Sequence, residues 1–284
     1  FRFNHDGRRF RVGASIGLVP LDARWRTTTV VLQAADSSCY AAKEAGRNQV
    51  HVWMDSDQMI NLRHGEMRWA ARIEQALDED RFELHAQQIV PTSGSQDALH
   101  AEVLLRLVQS DGTAVLPAAF LPAAERFNLV TRIDRWVLGR VIGMLSALGD
   151  RSPIGSLSIN VSGQSIGDRT FHRHALEMFM AAGQDICQRL CIEITETSAI
   201  TNLADAVHFT QQMQNLGIRI ALDDFGSGAS SFSYIKAIPV NMIKIDGKFI
   251  QNVADNPLDE VAVRCFIDVA RVVGAQTVAE FVDK

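Results

Sequence analysis

Apolar and polar positions along this chain change period repeatedly, and the changes mark its elements. FRFNHDGRRFRV at the start reads as strand with a turn, and Phe10 to Leu21 continues as a β-like run. A polar stretch from Asp22 to Thr29 ends that run. Val30 to Gly46 then takes a helical period, with Leu32, Ala35 and Tyr40 as apolar contacts and Gly46 as its stop. RNQVHVW (47–53) reads as a short strand. Strand–helix–strand is too little to stand as a domain by itself. Residues 55–63 are polar and weakly periodic, and are read as a junction. From Glu66 to about Asp80 a helix is expected, because Trp69, Ile73 and Leu77 recur every four residues.

Beyond this helix strand and helix patterns alternate. FELHAQQIV (82–90) and LHAEVLLRL (99–107) flank the turn PTSGSQ and predict a hairpin. Helices are expected near 117–127 and 131–148. Strands at 157–161, 190–196, 218–224, 241–246 and 276–282 alternate with helices near 170–182, 203–217 and 257–273, the last stopped by Gly274. This order predicts an α/β fold with a mainly parallel sheet, and leaves both a (β/α) barrel and a doubly wound sheet open.

Composition narrows the class without naming a function. The chain has 284 residues, 47% of them hydrophobic and 21% charged, which excludes a disordered polypeptide. No apolar run approaches ~18 residues, so no membrane span is expected. The formal charge of −5 argues against a nucleic-acid groove. Cys39, Cys187, Cys191 and Cys265 have no zinc-type spacing and read as free thiols of a reducing cytosol, Cys187 and Cys191 in a packed segment. His172 and His174 stand two apart in a helix, diverge, and read as surface histidines.

The informative feature is charge inside apolar strands. Glu102 stands between Ala101 and Val103, Asn160 in SINV, Glu193 in CIEI, Asp223 and Asp224 at the end of IALDD, and Glu280 at the end of TVAE. Lys244 and Asp246 alternate with Ile243 and Ile245, so they share a face. Each alone has an ordinary reading: a helix cap, a turn or a surface acid. Together they fall near strand C-termini, where α/β barrels place their sites. Buried charges pair or bind metal, and hard oxygen donors suit magnesium or manganese.

These residues carry a resemblance. From about Glu66 onward the chain resembles the EAL domain, through Glu102-Val103-Leu104 and the stretches PAAFLPAAE (117–125), IDRWVL (133–138), INVS (159–162), EITE (193–196), DDFGSG (223–228), KID (244–246) and VAE (278–280). The first residues resemble the C-terminal end of a GGDEF domain, through ASIGL (14–18) and the spaced AD, CY, AKE and GRN of 35–48. The Gly-Gly-Asp-Glu-Phe loop is not in the sequence, so no cyclase activity is expected.

The resemblance implies a TIM-like (β/α) barrel with an antiparallel first strand, preceded by a partial α/β GGDEF remnant. The expected extents are 1–54 for the remnant, 55–65 for a linker and 66–284 for the EAL domain. The implied reaction is hydrolysis of cyclic di-GMP to linear pGpG with two Mg2+ or Mn2+ ions, Ca2+ being inhibitory. One ion falls to Glu102, Asn160, Glu193 and Asp223; the other shares Asp223 and adds Asp224 and Glu280. Lys244 positions or deprotonates the water. Arg106 contacts a substrate phosphate, Gln87 lines the cleft, Asp246 belongs to the substrate site, and Glu196 anchors the loop Phe225 to Ser231. The alternative is a non-catalytic cyclic di-GMP receptor or regulatory module. A homodimer in the cytoplasm is expected, with no DNA or RNA polymer and no membrane contact from this chain; a full-length protein could be tethered upstream. Departures from the family are Val103 for Ala, Gln88 for Pro, Phe281 for Gly, and Asp283-Lys284 for Glu-Thr. The family also expects a further helix and strand after the seventh, so the barrel reads as lacking its closing segment.

Overall fold

The structure, a computed structural model, describes residues 2–5, 8–11, 13–23, 25–44, 46–92, 98–149, 153–227 and 234–282; the side chains of 2–11, 44 and 55–65 lie outside the description. The chain divides into two compact units, Phe1–Arg72 and Ile73–Lys284.

The second unit is built on seven strands: β1 (Phe82–Ile89), β2 (Leu99–Val108), β3 (Ile154–Asn160), β4 (Leu190–Thr195), β5 (Arg219–Phe225), β6 (Met242–Ile245) and β7 (Gln276–Ala279). They lie in the order β7-β6-β5-β4-β3-β2-β1, with a two-residue strand, Ala114–Val115, beside β2. The pair β1–β2 is antiparallel, and every pairing from β2 to β7 is parallel. This is the expected alternation with its antiparallel first strand. Among the described residues β1 and β7 do not pair.

The sheet is curled. Lys244 on β6 lies 3.1 Å from Glu102 on β2 although three strands separate them. In a flat sheet those strands would be about 19 Å apart, at ~4.8 Å per step, beyond the reach of a lysine and a glutamate.

Strand alternation decides which side chains face the concave side. On β4 Leu190, Ile192 and Ile194, on β5 Ile220 and Leu222, and on β6 Ile243 and Ile245 are buried. Their alternates are Cys191 and Glu193, Ala221 and Asp223, and Lys244, also buried. Helices Pro117–Arg126, Val130–Leu148, Arg169–Ala182, Leu203–Asn215 and Pro257–Val273 follow the strands. Their apolar stripes supply Phe120, Ile133, Leu138, Phe171, Phe179, Phe209 and Met213 to the core. The last helix shows its sequence punctuation: Asn256 caps it by accepting from Leu258 N at 3.0 Å, Pro257 is its first residue, and Gly274 leaves it at φ 75°.

In the first unit Arg2–His5 pairs antiparallel with Arg8–Arg11, and Ile16–Leu18 pairs parallel with Val50–Val52. Helix Thr28–Glu44 lies against the parallel pair so closely that a Cβ on Gly17 would meet Ala35 O. The helix and the short strand are those the periodicity predicts, whereas the β-like run expected over Phe10 to Leu21 is strand only to Arg11 and over Ile16–Leu18 among the described residues, residue 12 lying outside them.

Three other expectations change. The helix expected from Glu66 starts at Asp55 and runs to Asp78 through the polar junction; no proline interrupts it, and weak periodicity does not unmake a helix rich in good helix formers. The strand expected over 276–282 ends at Ala279, and the backbone turns at Phe281, φ 50°. His172 is buried, only 3% exposed, with Nε2 on Ile166 O at 2.7 Å and its ring 4.8 Å from Phe209. It belongs to the stripe Phe171, His172, Ala175 and Phe179, while His174 points to solvent. Cys187 and Cys191 are packed thiols as expected.

Candidate active site: a lysine held by four carboxylates

Lys244 is 2% exposed on the concave face, between two isoleucines that point the other way. Its Nζ lies 2.7 Å from Glu193 Oε2, 2.9 Å from Glu280 Oε1, 3.1 Å from Glu102 Oε2 and 3.1 Å from Asp223 Oδ1. Asn160 Nδ2 donates to the other Glu102 oxygen at 2.8 Å. Glu193 sits between Asn160 and Ala221 in the register, so β3, β4 and β5 deliver neighbouring groups.

Asp223 and Asp224 are consecutive, and in an extended strand their side chains would point to opposite faces. Asp224 has φ 54°, a left-handed conformation that aspartate tolerates. That turn brings carboxylate oxygens of Asp223, Asp224 and Glu280 within 4.8 Å of one another.

The cluster is short of positive charge. One ammonium faces four carboxylates, with Asp224 close by. Burial, reinforced by neighbouring acids against the pull of Lys244, pushes Glu193 and Glu280 up to about 7. Asp224 is raised too, by burial and then by Asp223 and Asp246. Burial alone would lower Lys244, but Glu193, Asp223 and Glu102 outweigh it and hold the ammonium well above the usual lysine range. Lys244 is thus the shared cation of the four acids. Glu193 Oε1 is buried with no hydrogen-bond partner among the described residues. An unpartnered buried carboxylate oxygen within an all-oxygen donor set fits hard divalent cations.

The remaining predicted site residues divide in two. Gln87 is the register partner of Glu102, so the two share a face of the hairpin. Glu196 is buried, and accepts from Gly226 N at 3.0 Å and Tyr234 OH at 2.9 Å. It thus grips both sides of a segment of which 228–233 lie outside the described residues; Ser231 is among them. Arg106 shares the Glu102 face of β2 but is ~13 Å further along, where its Nη1 donates to Leu105 O at 2.8 Å. Asp246 caps helix Gly247–Ile250 through Lys248 N at 2.9 Å, and meets Lys248 Nζ at 3.4 Å. No bond joins Arg106 or Asp246 to the lysine cluster among the described residues.

Sequence reasoning missed Tyr234 and Gly226. A Cβ on Gly226, φ 95°, would lie 2.7 Å from the Phe266 ring and 2.9 Å from that of Phe249. The signal was available in the glycines that follow the double aspartate.

A curled α/β sheet gathers acids from four strands around one lysine, a donor set that could hold divalent cations. A family model described as the EAL domain matches residues 70–284, and the chain belongs to that family. It is 38% identical over 278 residues to the cyclic di-GMP phosphodiesterase PdeB of Shewanella oneidensis, covering 96% of this chain and 32% of that protein. It is 34% identical over 212 residues to the cyclic di-GMP phosphodiesterase PdeF of Escherichia coli, covering 75% of this chain and 28% of that protein. The chain therefore spans about a third of the length of these relatives. The crystal structure of the FimX EAL domain from Pseudomonas aeruginosa bound to c-di-GMP matches with TM-score 0.69 at 28% identity, over 76% of this chain and 86% of that one. The Vibrio cholerae LapD S helix-GGDEF-EAL structure shares the fold, with TM-score 0.71 at 22% identity, over 92% of this chain and 62% of that one.

Proposed function

We propose that the chain hydrolyses cyclic di-GMP to linear pGpG, using two divalent ions, Mg2+ or Mn2+. The observation that carries this is the convergence of Glu102, Glu193, Asp223 and Glu280 on Lys244, with Asn160 and Asp224 beside them. Glu102, Asn160, Glu193 and Asp223 would hold one ion, and Asp223, Asp224 and Glu280 the other. The chemistry such ions supply when bound is neutralisation of phosphodiester charge and acidification of water. Lys244, kept protonated by its acids, presents positive charge to the anion that develops at phosphorus. Gln87 lines the cleft beside Glu102, Arg106 meets a phosphate, Asp246 completes the substrate side, and Glu196 holds the loop after the double aspartate. The named activities of PdeB and PdeF support this reading.

We assign residues 1–54 to a GGDEF remnant, 55–65 to a linker that is helical in backbone, and 66–284 to the EAL barrel. The protein acts as a cytoplasmic homodimer on this reading. No helix among the described residues is long and apolar enough to cross a membrane.

The test is conversion of cyclic di-GMP to pGpG by the purified chain with Mg2+ or Mn2+, beside Glu102→Ala and beside Ca2+. Turnover lost in the variant and unsupported by Ca2+ is the expected result. Tight binding of cyclic di-GMP in chelator with no turnover in any metal would make the chain a receptor instead.

A further inference from the structure

The stretch IDRWVL carries the family resemblance but has no part in the chemistry above, yet it meets the end of INVS just beyond Asn160. Asp134 lies on helix Val130–Leu148 amid Ile133, Val137 and Leu138, and is the one charged group among the buried residues of that helix. Its Oδ2 accepts from Ser162 N at 3.0 Å, Ser162 Oγ at 2.7 Å and Ser165 Oγ at 2.7 Å. Ser162 Oγ in turn accepts from Ser165 N at 3.2 Å, which caps helix Gly163–Gly167. This knot ties down the turn that leaves β3, and only Val161 separates it from Asn160.

The turn is held from two other sides. Val161 N donates to Glu193 O at 2.9 Å. A Cβ on Gly163 would lie 2.8 Å from Ser198 Oγ, so the turn abuts the helix Glu196–Thr201 that follows β4. Asn160 therefore leaves its strand into a turn with one backbone tie to Glu193 and three hydrogen bonds to a single carboxylate. Three donors converge on one oxygen, although burial pushes the Asp134 carboxyl up from the usual carboxylate range against their pull.

We propose that Asp134 is a positioning residue for the cation centre: through Ser162 it fixes the turn after β3, and so fixes where Asn160 stands against Glu102 and Glu193. The inference rests on the reading of that cluster as a metal site. Residues that orient ligands from behind cost roughly 10–100-fold in metal affinity or activity when removed. Asp134 touches no reacting group and acts only through the turn.

The experiment is calorimetric titration of the full chain with Mn2+ alone, without nucleotide, for wild type, Asp134→Ala, Asp134→Asn and Ser165→Ala, with melting temperatures in parallel. Asp134→Ala is expected to weaken Mn2+ binding about tenfold or more. Asp134→Asn keeps an acceptor oxygen for the serines and recovers part of the loss, and Ser165→Ala gives a smaller shift in the same direction. Asp80→Ala is the stability control: Asp80 binds Trp136 Nε1 and Arg140 from the same helix, so its loss lowers the melting temperature without moving Mn2+ affinity. Asp134→Ala that folds and binds Mn2+ like wild type overturns the proposal. Where Asp134→Ala does not fold, Ser165→Ala with wild-type affinity overturns it. A wild-type chain that binds no Mn2+ overturns the metal reading of the site first, and this inference with it.

Discussion

Two buried carboxylate sites in this molecule solve the same problem in opposite ways. Asp134 is a single acid whose Oδ2 takes three neutral donors from one turn. The cluster at Lys244 gathers four acids onto one ammonium and leaves Glu193 Oε1 without a partner. Folding alone would favour one acid met by donors over several acids that share one cation, because buried like charges repel one another. A deficit kept at the concave face, from residues on β2, β4, β5 and beyond β7, marks the second as a place for something that arrives after folding. The contrast separates a carboxylate tied to the backbone of one turn from carboxylates that could hold cations.

The sharpest way to break that contrast is to remove the shared cation. Lys244→Met leaves four acids facing one another, and should cost roughly 3–5 kcal/mol of stability in chelator. Urea unfolding measures it, and an unchanged midpoint would show that the acids do not depend on Lys244. Glu193→Gln acts the other way. It relieves repulsion, so the metal-free chain should melt higher, while Mn2+ binding and turnover fall at least about 100-fold. A melting temperature that falls with activity would put Glu193 in the same category as Asp134.

Two smaller effects sharpen the comparison away from the cluster. Gly226→Ala places a Cβ against two aromatic rings at a left-handed backbone position, and should cost about 1–3 kcal/mol; thermal melting checks it. His172 is an apolar-side counterpart, neutral because burial lowers its pKa below the usual imidazole value. The unfolded chain takes up that proton below about pH 6.5 and the folded chain resists. Stability from this site is therefore present above that pH and lost as pH falls below it. His172→Phe should flatten that part of the stability–pH curve. An unchanged slope would assign the acid sensitivity to other groups.

Much of this was legible in the sequence, for physical reasons that differ by region. β4, β5 and β6 announce themselves because alternate residues serve two buried faces, and Glu193, Asp223 and Lys244 stand out as charges in an apolar run. The short helices Gly163–Gly167, Gln184–Cys187 and Glu196–Thr201 were not legible, since one turn is too short to show a 3.6-residue period. Asp134 could have been found. It falls on the stripe Val130, Ile133, Val137, Leu138 and Val141, where a polar residue demands partners. Those partners, Ser162 and Ser165, come from a turn that only the fold brings near. The Asp224 turn was invisible for a similar reason: a left-handed residue leaves no mark in hydrophobic spacing.

Lys244 has a consequence for the order in which the molecule is made. A covalently attached ammonium accompanies the chain from synthesis, whereas free divalent ions vary with the state of the cell. With Lys244 among them, acids from four strands can come together as the polypeptide collapses, without waiting for an ion. On the proposed reading of the site, Glu102, Glu193, Asp223 and Glu280 would already stand assembled around Lys244 when divalent ions reach them.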